Sequence, residues 1–263
     1  MTIARVLIIA GSDSGGGAGI QADIKTVTLL GGHAMTAITA LTAQNTLGVT
    51  AVHAVPAEMV IAQIDAVASD LGVDAVKIGM IGSAEIAQAV ADRLDRPDLA
   101  YVPLVFDPVM IATSGSRLAD EATIAAFGRL MRRATVSTPN LDELGALAGA
   151  RLVEDADISA AAAALIGQGS GAILATGTGI RSGALTDLLF EPGGQAGGSW
   201  TAERIETIHD HGTGCTLASG IATGLAQGMT LPDAIGRARE FVRSALLAAP
   251  GIGQGHGPMG YRA

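Results

Sequence analysis

The stretch His211-Gly212-Thr213-Gly214-Cys215-Thr216-Leu217-Ala218-Ser219-Gly220 combines two kinds of chemistry. It places glycines, threonines and the chain's one cysteine at the start of a proline-free run, Cys215 to Gly228, whose small residues can pack as a helix. The first N–H groups of a helix lack intrahelical partners and the helix dipole adds partial positive charge there, so a glycine-rich entry into a helix is an anion site. The same field favours a thiolate at Cys215, because cysteine pKa values fall at helix N-termini. The segment thus offers phosphate-binding amides and a candidate base. A plainer reading stays open beside it: a C′ glycine, an N-cap threonine and a small buried cysteine.

Other polar groups fall where strands end. Asp107-Pro108 directly follows the apolar run Val102–Phe106, and open parallel sheets bind ligands beyond the carboxyl ends of their strands. An aspartate capping its own turn fits the same residues. Asn140 and Glu143 have the spacing of a capping box, a structural account that competes with a ligand role. Thr176-Gly177-Thr178-Gly179 is a small-residue turn suited to the phosphate tail of an adenosine nucleotide. Gly17-x-Gly19-x-x-Ala22 matches a relaxed dinucleotide fingerprint, but the region that should carry the ribose-binding carboxylate reads Ala37-Ile38-Thr39-Ala40-Leu41-Thr42. The loop Gly11–Gly19 is therefore read as wrapping a substrate, with Asp13 and Asp23 the nearest polar groups. His209-Asp210-His211 lacks a third ligand and is weak as a metal site.

The elements that must position these residues alternate along the chain. Strands are expected at Arg5–Ala10, His33–Thr42, Val49–Val55, Asp74–Gly79, Val102–Phe106, Thr135–Thr138 and Ala172–Ala175, and a hairpin from Ala184–Phe190 to Trp200–Ile208. Helices are expected at Ile20–Leu30, Pro56–Leu71 with proline at its first position, Ser83–Leu94 with Ser83 as cap, Ala119–Arg132, Ser159–Gln168 and Leu231–Leu247. Pro250–Ala263 reads as an irregular tail. Alternating strands and helices without an internal repeat give one α/β domain over residues 1–263, an open and mostly parallel sheet flanked by helices.

Composition narrows the function. A chain of 263 residues, 49% hydrophobic and 3% aromatic, builds its core from Ala, Val, Ile and Leu. A net charge of −9 argues against nonspecific binding to nucleic acid or acidic membranes. Only two lysines exist, Lys25 and Lys77, so a bound phosphate must be held by backbone amides, arginine or a metal ion. No apolar run reaches the ~20 residues of a membrane span. One cysteine allows no internal disulfide, and a reducing cytoplasm is expected.

Six segments then match one pattern in order: Ile9–Asp13 with Gly16–Asp23, Thr39–Thr46, Lys77–Met80, Asp107–Met110, Thr138–Leu141 and His211–Leu217. Together they resemble the hydroxymethylpyrimidine/phosphomethylpyrimidine kinases of thiamine biosynthesis, members of the ribokinase-like superfamily. The resemblance implies transfer of the ATP γ-phosphate to 4-amino-5-hydroxymethyl-2-methylpyrimidine and then to its monophosphate. It implies an anion hole of Gly212, Thr213, Gly214 and Cys215, with Cys215 as base, and a substrate pocket of Gln44, Gly11, Asp23 and Met80. It also implies Mg²⁺ near Asp107 and Glu143, partly through water, nucleotide phosphates near Asn140, and a homodimer. Where the family often carries lysine this chain has Thr113, Thr176 and Ile208, so Arg117 or Arg181 is the expected substitute near ATP. Two rivals share parts of this reading: a pyridoxal or pyridoxine kinase, and a pyrimidine-binding paralogue of weak activity. A hydrolase pairing Cys215 with His211 lacks a recognisable orienting group.

Overall fold

The computed structural model describes residues 3–111, 115, 118–178, 184–193 and 196–262. Among the described residues, nine strands form one sheet in the order β3-β2-β1-β4-β5-β6-β7-β8-β9. Its centre is parallel: β1 (Ala4–Asp13) lies between β2 (Gly32–Asn45) and β4 (Ala75–Ile78), followed by β5 (Leu104–Phe106), β6 (Val136–Ser137) and β7 (Ala172–Thr178). The edges are antiparallel, with β3 (Gly48–Ala54) folding back on β2, and β8 (Ala184–Phe190) and β9 (Ala196–Glu203) extending from β7. This is the expected α/β architecture with helices on both faces.

The central strands are apolar without alternation because both of their faces are covered. Successive β1 side chains point to opposite sides of the sheet. Leu7 and Ile9 join Val76, Ile78 and Phe106 in one core, beneath α2 (Ala57–Asp70), α3 (Ala84–Leu94), α4 (Glu121–Arg133), α5 (Leu141–Ala148) and α6 (Asp155–Gly167). Val6 and Ile8 join Val105 and Leu174 in the other, beneath α1 (Gly19–Leu29), α7 (Thr213–Ala226) and α8 (Leu231–Leu247). Helix α7 crosses the middle of the sheet against β1, β4 and β5. Its lack of bulk has a cause: a Cβ at Gly220 would stand 2.8 Å from that of Ala238, so α7 and α8 approach at a distance only glycine permits.

Local signals set most boundaries. Ser83 Oγ accepts from the Ile86 amide at the start of α3, Asp120 caps α4, and Thr230 caps α8. Several expectations change, these among them. Pro56 is the N-cap of α2 with extended backbone, one position before the first helical residue. Gly212, in the left-handed region at φ 92°, caps α7, so the helix starts at Thr213 with no threonine cap. Strand β9 begins at Ala196 and takes in Gly197 and Gly198, because pairing with β8 supplies the register that a glycine-rich sequence does not advertise.

Candidate active site

Every central parallel strand ends at one cleft of about 1010 Å³. Gly11, Ser12 and Asp13 come from the end of β1, Gln44 from β2, Met80 from the turn after β4, Asp107 from beyond β5, Asn140 and Glu143 from the start of α5, and Thr176 and Gly177 from β7. His211, Gly212, Thr213, Gly214 and Cys215 enter the same space at the N-terminus of α7. The sequence-predicted residues therefore converge, with the exception of Asp23.

Asp23 is fully buried behind the cleft wall. Both of its oxygens lie 3.0 Å from Lys77 Nζ, itself fully buried, and Ser219 Oγ donates to Oδ1 at 2.6 Å. Burial opposes charge on Lys77, but Asp23, Cys215 and Asp107 around it outweigh that and raise its pKa. Asp23 thus acts as a counter-ion within the core, and the expectation that it touches substrate is corrected.

The α7 entry leaves backbone donors without helical partners. The Thr213 amide turns back to the Asp210 carbonyl at 3.3 Å, and the Thr216 amide makes the first helical bond, to Gly212 at 2.9 Å. Gly214 and Cys215 remain as the helix-end donors facing the cleft. Position 212 admits only glycine, since a Cβ there would stand 2.0 Å from the Gly17 carbonyl oxygen. A Cβ placed on Gly214 would meet, within 4 Å, only Asp107 Oδ2 at 3.8 Å. The amide trough and this carboxylate therefore front the same space.

The thiolate expected at Cys215 is not favoured. Cys215 is half-buried at the cleft wall, and desolvation of its sulfur pushes the thiol up to about 12; Lys77 opposes this, while Asp23 and Asp107 add to it. Burial overrides the field of the helix end. The sulfur accepts a backbone hydrogen bond from Gly19.

Asp107 and Glu143 are both buried. Asp107 Oδ2 has no hydrogen-bond partner among the described residues, and burial pushes this carboxyl up to about 6, against the pull of Lys77. Glu143 rises to about 8 through burial and the proximity of Asp107. The Asn140 capping box is present: Asn140 Oδ1 accepts from the Glu143 amide at 2.9 Å and Glu143 Oε2 accepts from the Asn140 amide at 3.0 Å. Glu143 thus caps α5 and still borders the cleft, so the two readings of this motif coexist. No cluster of three or more His, Cys, Asp or Glu suited to a metal occurs among the described residues. An orphaned carboxylate oxygen beside a second raised carboxyl fits a divalent cation that takes its remaining ligands from phosphate and water.

Neither lysine lines the cleft. Lys25 Nζ donates to the Gly16 carbonyl and lies 5.1 Å from the Tyr261 ring centre, and Lys77 is held by Asp23. Arg239 on α8 supplies cationic character instead, ion-paired with Asp187, whose other oxygen accepts from the Gly177 amide at 2.7 Å. The sequence reading missed Arg239 and Asp187; the only signal was a pair of arginines, Arg239 and Arg243, one turn apart on a helix. Thr113, Arg117, Gly179 and Arg181 lie outside the described residues. The C-terminal tail, irregular as expected, straps the site: Gly257 bonds to Ile208 and His211, Gln254 and Gly255 bond to Thr46, and Tyr261 Oη meets Thr216 Oγ1 at 2.8 Å.

Comparison with known proteins agrees with this geometry. The sequence profile of the phosphomethylpyrimidine kinase family matches residues 13–260. A hydroxymethylpyrimidine/phosphomethylpyrimidine kinase of Rhizobium meliloti is 48% identical over 260 residues, covering 97% of this chain and 96% of the relative. The crystal structure of phosphomethylpyrimidine kinase from Clostridium difficile superposes with a TM-score of 0.79 at 34% identity, over 93% of this chain and 99% of that one. An ADP complex of Bacillus subtilis pyridoxal kinase gives a TM-score of 0.88 at 30% identity, over 99% and 98%. With an open sheet, and a cleft at its carboxyl edge that takes in Gln44 and the start of α7, the chain belongs to the phosphomethylpyrimidine kinase family of the ribokinase-like fold.

Proposed function

We propose that this protein phosphorylates 4-amino-5-hydroxymethyl-2-methylpyrimidine at its hydroxymethyl oxygen, and then the resulting monophosphate, with ATP as donor, in thiamine biosynthesis. One observation carries the proposal. The Gln44 amide, which can donate and accept, and the Gly214–Cys215 amides border the same cleft as the unpartnered Asp107 carboxylate. A ring recognised at Gln44, beside Gly11 and Met80, can thereby present its alcohol to a phosphoryl group held at the α7 entry.

Phosphoryl transfer demands positioning and charge stabilisation more than covalent chemistry. The amides at the start of α7 stabilise the charge that spreads over the transferring group. Asn140, Thr176, Gly177 and Arg239 hold the nucleotide side, with Arg239 in the part that a lysine at position 176 would otherwise take. Asp107 and Glu143 would hold Mg²⁺, and the ion, when bound, would neutralise phosphate charge. With its thiol neutral in the free protein, Cys215 orients the alcohol by a hydrogen bond, and the hydroxyl proton passes to an oxygen of the incoming phosphoryl group as the new O–P bond forms and the bond to ADP breaks. The homodimer belongs to the same proposal. Strand β3 is a sheet edge with Val52 53% exposed, which leaves unpaired backbone and apolar surface for a second copy. Sedimentation should give a dimer for the native chain and a monomer for Val52→Lys.

Mass spectrometry of products formed with ATP, Mg²⁺ and the aminopyrimidine alcohol should show the monophosphate, then the diphosphate. The likeness to pyridoxal kinase structures gives a second substrate its place in the same assay. Turnover of pyridoxal with none of the pyrimidine would reverse the assignment.

A further inference from the structure

His211 occupies a position that the anion trough does not explain. It is 7% exposed, and its Nε2 has two polar neighbours: Asp13 Oδ2 at 3.1 Å and Gln44 Nε2 at 2.9 Å. Asp13 is the knot of the glycine loop. Its Oδ2 accepts from the amides of Gly17 and Ala18 at 2.9 and 2.8 Å, and its Oδ1 from that of Gly15 at 2.8 Å. Burial works against charge on Asp13, but His211 and the amides of Ala18 and Gly15 outweigh it and hold the carboxyl below its usual range.

One imidazole nitrogen carries either a proton or a lone pair. An ionised Asp13 requires the proton, because a lone pair at 3.1 Å from a carboxylate would be repelled. With an N–H on Nε2, the end of the Gln44 amide that faces the ring must be its oxygen, since the hydrogen-bond network decides which way an amide points. The NH₂ then takes the other side, where Thr42 Oγ1 at 3.3 Å accepts one hydrogen while donating its own to the Ser12 carbonyl at 2.9 Å. The second amide hydrogen is left for the cleft.

We propose that His211 is a positioning residue that turns the Gln44 amide so that it offers an N–H donor to a ring nitrogen of the substrate, with Asp13 fixing the proton on His211. This rests on the reading of Gln44 as the ring-recognition residue. It makes the residue before the anion trough a link between ring recognition and phosphate capture.

The test compares His211→Phe, which keeps a ring without nitrogen, with His211→Gln, whose amide nitrogen can reach the same place, and His211→Asn, whose shorter amide cannot. Steady-state kinetics with the aminopyrimidine alcohol should show KM raised about tenfold or more in His211→Phe and His211→Asn, with the KM for ATP little changed. His211→Gln should stay within about threefold of the native protein. Adding Gln44→Ala to His211→Phe should cost no more than Gln44→Ala alone, because both changes remove one interaction. Equal damage from Gln, Asn and Phe, or effects of positions 44 and 211 that multiply, would overturn the proposal. If His211→Phe does not fold, the contrast between Gln and Asn decides by itself. A native KM for the alcohol in Gln44→Ala would show separately that the ring-recognition reading has failed, and the proposal with it.

Discussion

Asp23–Lys77 and Asp107–Glu143 are two buried charge sites that flank Cys215, and they differ in whether the chain completes them. Asp23 has a cation on both oxygens and a serine hydroxyl besides, with no exposed atom. Asp107 has a bare Oδ2, and its neighbour Glu143 is another acid. A buried charge without a partner is expensive, so a fold keeps one only where something else supplies the partner. The first site therefore serves the folded chain and the second, on the function proposed above, serves its ligands, although both are carboxylates at the same end of the sheet.

The largest effect expected from this contrast is at Lys77. Lys77→Met leaves Asp23 buried alone and should cost about 3–5 kcal/mol of folding stability, read from urea denaturation. Asp23→Leu added to it should recover much of the loss, because a matched apolar pair replaces the ion pair. A cost under about 1 kcal/mol for the single change would remove Asp23–Lys77 from the structural side of the comparison.

Asp107→Asn should act in the opposite sense. For a carboxyl whose folded pKa lies above its unfolded value, the folded state binds more protons, so stability is greatest at low pH and is lost as pH rises. The window runs from about 4 to 6 for Asp107 and extends to about 8 for Glu143. Removing the Asp107 charge should therefore raise the Tm of the ligand-free protein at pH 8, by at most ~3 kcal/mol in stability, while kcat falls about a hundredfold or more. A variant that loses both stability and activity would show that Asp107 is already satisfied by the chain.

What could be read from the residues alone was local. The caps at Ser83 and Asn140, the unbroken apolar run of β1 and the bounds of α8 depend on neighbours in sequence, and these expectations agree with the structure. Asp23 could not be placed, because its partners Lys77 and Ser219 lie 54 and 196 positions away. A sequence gives the spacing of an aspartate from a glycine loop but not which side of α1 meets α7. Arg239 was hidden for the same reason: its function depends on Asp187, brought to it by the antiparallel edge of the sheet.

Cys215 gives the smallest expected effect and the finest division between the two regions, since its thiol feels both. The glycine-rich helix entry argued for a thiolate, whereas burial between Asp23 and Asp107 holds the thiol up at about 12. At neutral pH the free protein should then react with iodoacetamide at least tenfold more slowly than an unhindered thiol, and the rate should still be climbing above pH 9. Slow reaction alone could reflect restricted access to the sulfur, so the pH course is the discriminating part: a plateau by pH 8 would mean an ordinary or lowered pKa. Turnover supplies the second arm. General-base catalysis contributes about 10²–10⁴-fold, whereas loss of one orienting hydrogen bond costs about tenfold. Cys215→Ala should therefore lose roughly tenfold in kcat. A loss beyond about a hundredfold would restore the thiol as base, and would mean that bound nucleotide and its metal, by pairing with Asp107, release Cys215 from the negative charge that burdens it in the free protein.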